Sequence, residues 1–292
     1  MEAGKKGRRE EENRLEPGAK ALLRELGLRP SKGLGQNFLV DRSILPQILA
    51  AAALSPEDRV VEIGPGVGVL TLPLARSVRQ LIAVELDRRL YPYLHTVLAP
   101  FPGARLIEGD ALHFDPATLA PGPYKLVANI PYYITSAILR HFLDSSHPPT
   151  RIVLMVQKEV AERIVAQPPD MSLLAVSVQF YGRPEIWATV PAQAFFPPPK
   201  VDSAILLIET FEPMERPCPG VDPTRFFAVA RAGFGQKRKQ LINSLSAGLK
   251  LDKSQVHTAM QQAGLEETRR AESLSLEEWG RLYQSLPEVF PG

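Results

Sequence analysis

Four short apolar runs, each ending in a polar or glycine-rich tip, constrain this chain more than any other feature. Arg59-Val60-Val61-Glu62-Ile63 runs into Gly64-Pro65-Gly66-Val67-Gly68, and Leu81-Ile82-Ala83-Val84 ends at Glu85. Leu106-Ile107-Glu108 ends at Gly109-Asp110-Ala111, and Leu126-Val127-Ala128 ends at Asn129. Runs of this length that are apolar at successive positions read as strands buried on both faces. Segments with helical spacing at 70–76, 136–143 and 158–166 alternate with them and with a further strand-like run at 152–156. That alternation predicts an α/β fold with a parallel, doubly wound sheet. Ligands bind such sheets outside the carboxyl ends of the strands, so the tips form the candidate site.

The chemistry of the tips narrows the ligand. A dinucleotide site wants Gly-x-Gly-x-x-Gly, but the third glycine would fall at position 69, which is Val69. The loop is instead Gly-x-Gly-x-Gly, with Gly64 and Gly66 letting the backbone approach a ligand and Glu62 two residues before it. This pattern suits a single nucleoside without a pyrophosphate, such as S-adenosylmethionine. Glu85, about 20 residues downstream, is placed to bind ribose hydroxyls, and Asp110 to accept from an adenine amino group. At the fourth tip stands Asn129-Ile130-Pro131-Tyr132, where proline ends the strand by fixing φ and removing a donor. An aromatic amine such as adenine N6 is a poor nucleophile because its lone pair is delocalised. Acceptors aimed at its hydrogens, the Asn129 side-chain oxygen and a carbonyl near Ile130, favour a pyramidal nitrogen. Tyr132 offers a face for an extruded base, worth roughly 1–3 kcal/mol.

Composition removes several alternatives. The 292 residues are 45% hydrophobic and 23% charged, as in ordinary globular proteins. No apolar stretch is long enough for a membrane span and the N-terminus has no signal-like core, so a cytoplasmic location without membrane partners is expected. Cys218 is the sole cysteine, which excludes an intrachain disulfide and a cysteine metal cluster, and its place in a proline-rich linker reads as an inert thiol, which counts against cysteine-dependent methyl transfer to a pyrimidine carbon. A net charge of +2 means that nucleic-acid binding must come from local patches. The best one is the run containing Arg231, Phe234, Lys237, Arg238 and Lys239, read as the basic start of a helix over 237–249. Residues 1–29 read as a flexible, then helical extension, 30–211 as the catalytic domain, and 212–292 as a small helical, RNA-binding C-terminal domain. The division is set by the proline-rich stretch 211–223 and by helical spacing at 224–231, 237–249, 254–263 and 276–286.

Taken in order, Gln36-Asn37-Phe38-Leu39, Glu62 to Gly68, Glu85-Leu86-Asp87, Gly109-Asp110-Ala111, Asn129-Ile130-Pro131-Tyr132, Gln157-Lys158-Glu159 and the stretch 195–204 resemble the small-subunit ribosomal RNA adenine N6-dimethyltransferases. The resemblance implies a Rossmann-like domain with a seven-stranded sheet and a helical C-terminal domain. It implies S-adenosylmethionine as cofactor and no metal. The implied substrate is a pair of adjacent adenosines near the 3′ end of small-subunit rRNA, met in a pre-30S particle by a monomeric enzyme. Cofactor contacts are then expected at Asn37, Leu39, Gly64, Gly66, Glu85, Asp110 and Asn129. Base handling is expected at Asn129, Tyr132 and Phe195, the last as a second stacking wall, with Gln36 and Phe38 shaping a lid. One departure stands out: the segment 168–174, Pro-Pro-Asp-Met-Ser-Leu-Leu, lacks the family's usual Gly- and Lys-containing loop.

Overall fold

The apolar runs pair into one seven-stranded sheet. The computed structural model describes residues 19–236 and 238–287; the tail expected before them and Lys237 lie outside the described residues. The strands are β1 (Arg59–Ile63), β2 (Gln80–Glu85), β3 (Ala104–Glu108), β4 (Lys125–Asn129), β5 (Arg151–Gln157), β6 (Gly182–Val190) and β7 (Ser203–Thr210). Their spatial order is β3-β2-β1-β4-β5-β7-β6. The first five are parallel, and β7 runs antiparallel to both β5 and β6. The connection between β6 and β7, residues 191–202, holds no α-helix of the kind that usually carries a parallel crossover.

Burial on both faces explains the continuous apolar runs. Val61, Ile63, Leu126, Ala128, Ile152 and Leu154 enter one core, while Val60, Leu81, Val127, Val153, Ile205 and Leu207 enter the other. The period of two sends alternate residues of a strand to opposite layers. The helices covering them are α1 (Ala19–Glu25), α2 (Leu45–Ala52), α3 (Thr71–Ser77), α4 (Tyr91–Leu98), α5 (Pro116–Leu119), α6 (Thr135–Leu143), α7 (Lys158–Val165) and α8 (Leu173–Gln179). Sequence reading does not single out α4. Pro92 hides it, yet it stands in the first turn, where a missing N–H costs nothing. Leu22 and Leu23 of α1 are buried with Phe38 and with Val67 of the glycine loop.

The C-terminal part is helical: α9 (Pro223–Phe234), α10 (Leu241–Leu249), α11 (Lys253–Gln262) and α12 (Leu276–Ser285). They close around Trp279, fully buried, against which Gly233 packs so tightly that a Cβ there would lie 2.5 Å from the ring. The same core continues into the sheet layer, with the Phe180 ring stacked on Phe226 at 4.7 Å and the Arg216 guanidinium 5.0 Å from the Tyr181 ring centre. Segment 168–174 helps fasten the two parts: Met171 is buried and its N–H donates to the Glu272 carbonyl at 3.0 Å. Cys218 packs on Gly280 with its thiol donating to the Leu276 carbonyl at 3.0 Å, and burial pushes its pKa up to about 12, so it is inert.

The basic run differs from its expected setting. Helix α10 begins at Leu241 rather than at 237, because α9 ends at Phe234, capped by Gly235, and the Leu241 N–H is tied to the Arg269 carbonyl at 2.9 Å. Arg238 and Lys239 are therefore exposed on a loop, and Arg231 is exposed near the end of α9. Phe234 does not stand among them as an open aromatic; its ring stacks on Trp279 at 5.6 Å.

Candidate active site

The strand order reverses between β1 and β4, and a cavity opens at the carboxyl ends of these strands, the place where open α/β sheets bind ligands. All four tips reach it: Glu62 to Val67, Glu85, Gly109 to Ala111 and Asn129 to Pro131 line the cavity. The strap preceding α2 covers it with Leu34, Gln36, Asn37, Phe38 and Leu39.

The glycine loop holds its shape through left-handed backbone at Gly64 (φ +67°) and Gly66 (φ +58°), conformations that cost other L-residues roughly 1–2 kcal/mol. Gly66 has a second reason to be glycine, since a Cβ there would lie 3.0 Å from the Phe38 ring. Its N–H donates to Glu85 Oε2 at 3.0 Å, while the Asp87 N–H donates to Glu85 Oε1 at 2.7 Å. Both carboxylate oxygens are thus oriented by backbone and keep lone pairs for a ligand. Asp87 in turn accepts from the Gln36 side-chain amide at 2.9 Å and from the Arg89 guanidinium, and these partners, Arg89 foremost, hold its pKa below the usual carboxylate range. Gln36 also accepts from the Ser31 N–H at 2.8 Å, so the strap is pinned to the strand tip carrying Glu85.

On the other side of the cavity, the Asn129 side-chain N–H donates to the Asn37 carbonyl at 3.2 Å. This bond fixes which end of the amide faces the strap and leaves Oδ1 as an acceptor. Asp110 lines the cavity while its Oδ1 accepts from the Leu112 N–H at 3.0 Å, capping the following turn; it acts as turn residue and cavity acceptor at once. Leu39 is buried in a two-residue ribbon with Phe195, and Asn37 bonds the Gly35 carbonyl at 3.2 Å.

Tyr132 and Phe195 are not brought to the cavity lining. The Tyr132 hydroxyl lies 2.5 Å from Ser203 Oγ, and the ring is half-buried. Phe195 is 2% exposed, its ring packed in the core beneath the ribbon rather than open to a ligand. The aromatic at the mouth is Tyr133, next in sequence and not singled out by the sequence reading. Its only sequence signal is that it directly follows the Asn-Ile-Pro-Tyr turn.

Glu62 is the most perturbed carboxyl of the cavity lining. It is buried, its Oε2 has no hydrogen-bond partner, and it faces Glu85 across the loop. Burial, with the Glu85 charge adding to it, pushes its pKa up to about 8. A carboxyl whose folded pKa is raised favours the folded state fully below its unfolded pKa near 4.5 and loses that contribution as pH rises to about 8. Glu62→Gln, which cannot ionise, is therefore expected to raise the melting temperature of the ligand-free protein at pH 8.5 relative to wild type, with no gain at pH 5. Parallel melting curves with equal offsets at both pH values would show that Glu62 does not titrate this way.

Comparison with known proteins follows the same lines. The family model for ribosomal RNA adenine dimethylase matches residues 28–288. Ribosomal RNA small subunit methyltransferase A of Dehalococcoides mccartyi is 49% identical over 266 residues, covering 90% of this chain and 91% of its own length. The structure is similar to that of a dimethyladenosine transferase from Plasmodium falciparum, with a TM-score of 0.73 and 26% identity over 84% of this chain and 95% of the other. It is also similar to the 23S rRNA methyltransferase ErmE, with a TM-score of 0.68 and 29% identity over 86% of this chain and 99% of the other.

Proposed function

The chain belongs to the ribosomal RNA adenine dimethylase family, and on that premise we propose that its cavity takes S-adenosylmethionine to dimethylate N6 of two adjacent adenosines near the 3′ end of 16S rRNA during small-subunit assembly. The observation that carries this reading is the convergence of Glu62, Glu85, Asp110 and Asn129 on one cavity at the switch point of the sheet. The residues fit such a cofactor. An orphaned, buried Glu62 oxygen and a Glu85 carboxyl also raised by burial call for a ligand bearing positive charge and hydroxyl donors. When bound, the cofactor supplies an electrophilic methyl group on a positively charged sulfur.

The chain's own part is to bind, orient and polarise. Glu85 accepts from ribose hydroxyls with the lone pairs its backbone partners leave free, and the second oxygen of Asp110 accepts from the adenine amino group. Gly64 and Gly66 let the loop backbone come close, and Asn37 and Leu39 close the cavity from the strap. Asn129 Oδ1 accepts a hydrogen of the target amine and favours a pyramidal nitrogen with its lone pair free. The proton leaves after transfer, from the cationic product nitrogen, so no general base is needed before attack. Positioning and fixed dipoles then supply most of the rate. Tyr132, half-buried and held by Ser203 at the edge of the cavity rather than on its lining, is assigned to the extruded base, and Phe195, closed into the core, stacks on no ligand.

Arg231, Arg238 and Lys239, together with Lys237 from the same run, are assigned to rRNA phosphates within a C-terminal unit that begins near residue 212. Reversing Arg238 and Lys239 to Glu is expected to weaken binding of the small subunit at least ten-fold and to flatten its salt dependence, while cofactor affinity is unchanged. Unaltered affinity and salt slope would remove this loop from the RNA interface. The similarity to ErmE favours a second substrate, large-subunit rRNA, whereas the name of the Dehalococcoides relative favours the small subunit. Offering unmethylated small and large subunits with labelled S-adenosylmethionine decides between them: label in the small subunit alone is expected, and label in the large subunit would overturn the assignment.

A further inference from the structure

We propose that Tyr133 is a stacking platform for the nucleotide that flanks the extruded adenosine, with Lys32 beside it to meet a phosphate. The turn that carries Tyr133 is otherwise drawn inward. Ile130 is 2% exposed, the Tyr132 hydroxyl is tied to Ser203, and the Thr135 hydroxyl donates to the Tyr132 carbonyl at 3.0 Å. Tyr133 alone among these is turned out, 65% exposed on the wall of the cavity.

Its ring rests on the strap. Gly35 has left-handed backbone (φ +59°), and a Cβ built on it would lie 3.0 Å from the ring, so a glycine lets the tyrosine lie against the backbone there without being pushed aside. One side of the ring is thereby supported while the rest remains open to a ligand. Gly35 closes a turn whose first carbonyl belongs to Lys32 (N–H to O 3.1 Å), and the Lys32 side chain is exposed on that same turn. A supported aromatic ring and an exposed lysine on the turn that supports it suit a stacked base and its phosphate. This inference rests on the rRNA reading above: with one base extruded into the cavity, its chain neighbour must sit at the mouth, and the second target must later exchange places with the first.

The test compares Tyr133→Ala and Tyr133→Phe in the full chain, with unmethylated small subunits as substrate and calorimetry with S-adenosylhomocysteine as a separate readout. Tyr133→Ala is expected to raise KM for the subunit about ten-fold, the range that loss of one stacked base implies, with cofactor affinity and melting temperature as in wild type. Tyr133→Phe restores KM, and Lys32→Glu raises it and flattens its salt dependence. An unchanged KM in Tyr133→Ala would refute the platform. A loss of cofactor affinity instead would make the ring a clamp on the strap and refute it equally. A wild-type protein that methylates no rRNA would sink the substrate reading and this inference together; an active wild type with an indifferent Tyr133→Ala would sink only this one.

Discussion

Asn129→Ala should lower kcat by at least 10²-fold while leaving the fold close to wild type. The side chain stands at the carboxyl end of β4, only partly buried, and its structural duty is one hydrogen bond to the Asn37 carbonyl at 3.2 Å. Losing that bond costs about 1 kcal/mol. Losing Oδ1 removes the fixed acceptor that meets the target amine, and a preorganised hydrogen-bonding group of that kind typically contributes 10²–10³-fold to the rate. Asn129→Asp sharpens the point. It keeps an acceptor oxygen but replaces the donor, setting a carboxylate against the Asn37 carbonyl, so it should also turn over poorly. Single-turnover rates measured at saturating cofactor check both variants; wild-type-like turnover in Asn129→Ala would remove the residue from the chemistry.

Glu85→Ala should weaken binding of S-adenosylhomocysteine on the order of 10²-fold or more. The carboxylate accepts from the N–H groups of Gly66 and Asp87, so its loss frees both the glycine loop and the tip that holds the strap through Asp87 and Gln36. Hydrogen bonds to a charged group are worth about 1.5–3 kcal/mol each, and those to a ribose would be lost as well. Glu85→Gln is expected to fall between, because its amide nitrogen cannot accept from a backbone N–H. Calorimetric titration at constant pH gives the ranking, and an affinity in Glu85→Ala within three-fold of wild type would place the ribose elsewhere.

The layered sheet and its tips were legible because burial on both faces leaves a strong mark: Val60 and Val61 enter opposite cores, so the run cannot alternate with polar residues. Glu62, Glu85, Asp110 and Asn129 each lie within two residues of a strand's carboxyl end, and a parallel sheet necessarily gathers such ends on one edge. Side-chain direction within a turn has no comparable periodicity. Whether Tyr132 or Tyr133 faces the mouth depends on the Ser203 hydroxyl, 71 residues away in the chain, and on the space that Gly35 leaves. Likewise Phe195 is committed to the core by a two-residue ribbon too short to announce itself. The basic run looked like a helix start because its spacing is helical. What shifts that start to Leu241 is the carbonyl of Arg269, a partner that lies far along the chain.

The most direct measurement digests small-subunit rRNA after exhaustive reaction with the protein and S-adenosylmethionine, and identifies the modified nucleosides. The account predicts N6,N6-dimethyladenosine at two adjacent positions near the 3′ end of the 16S rRNA. Methylation confined to another atom or another base would contradict it, as would rRNA that stays unmodified by a protein that binds the cofactor.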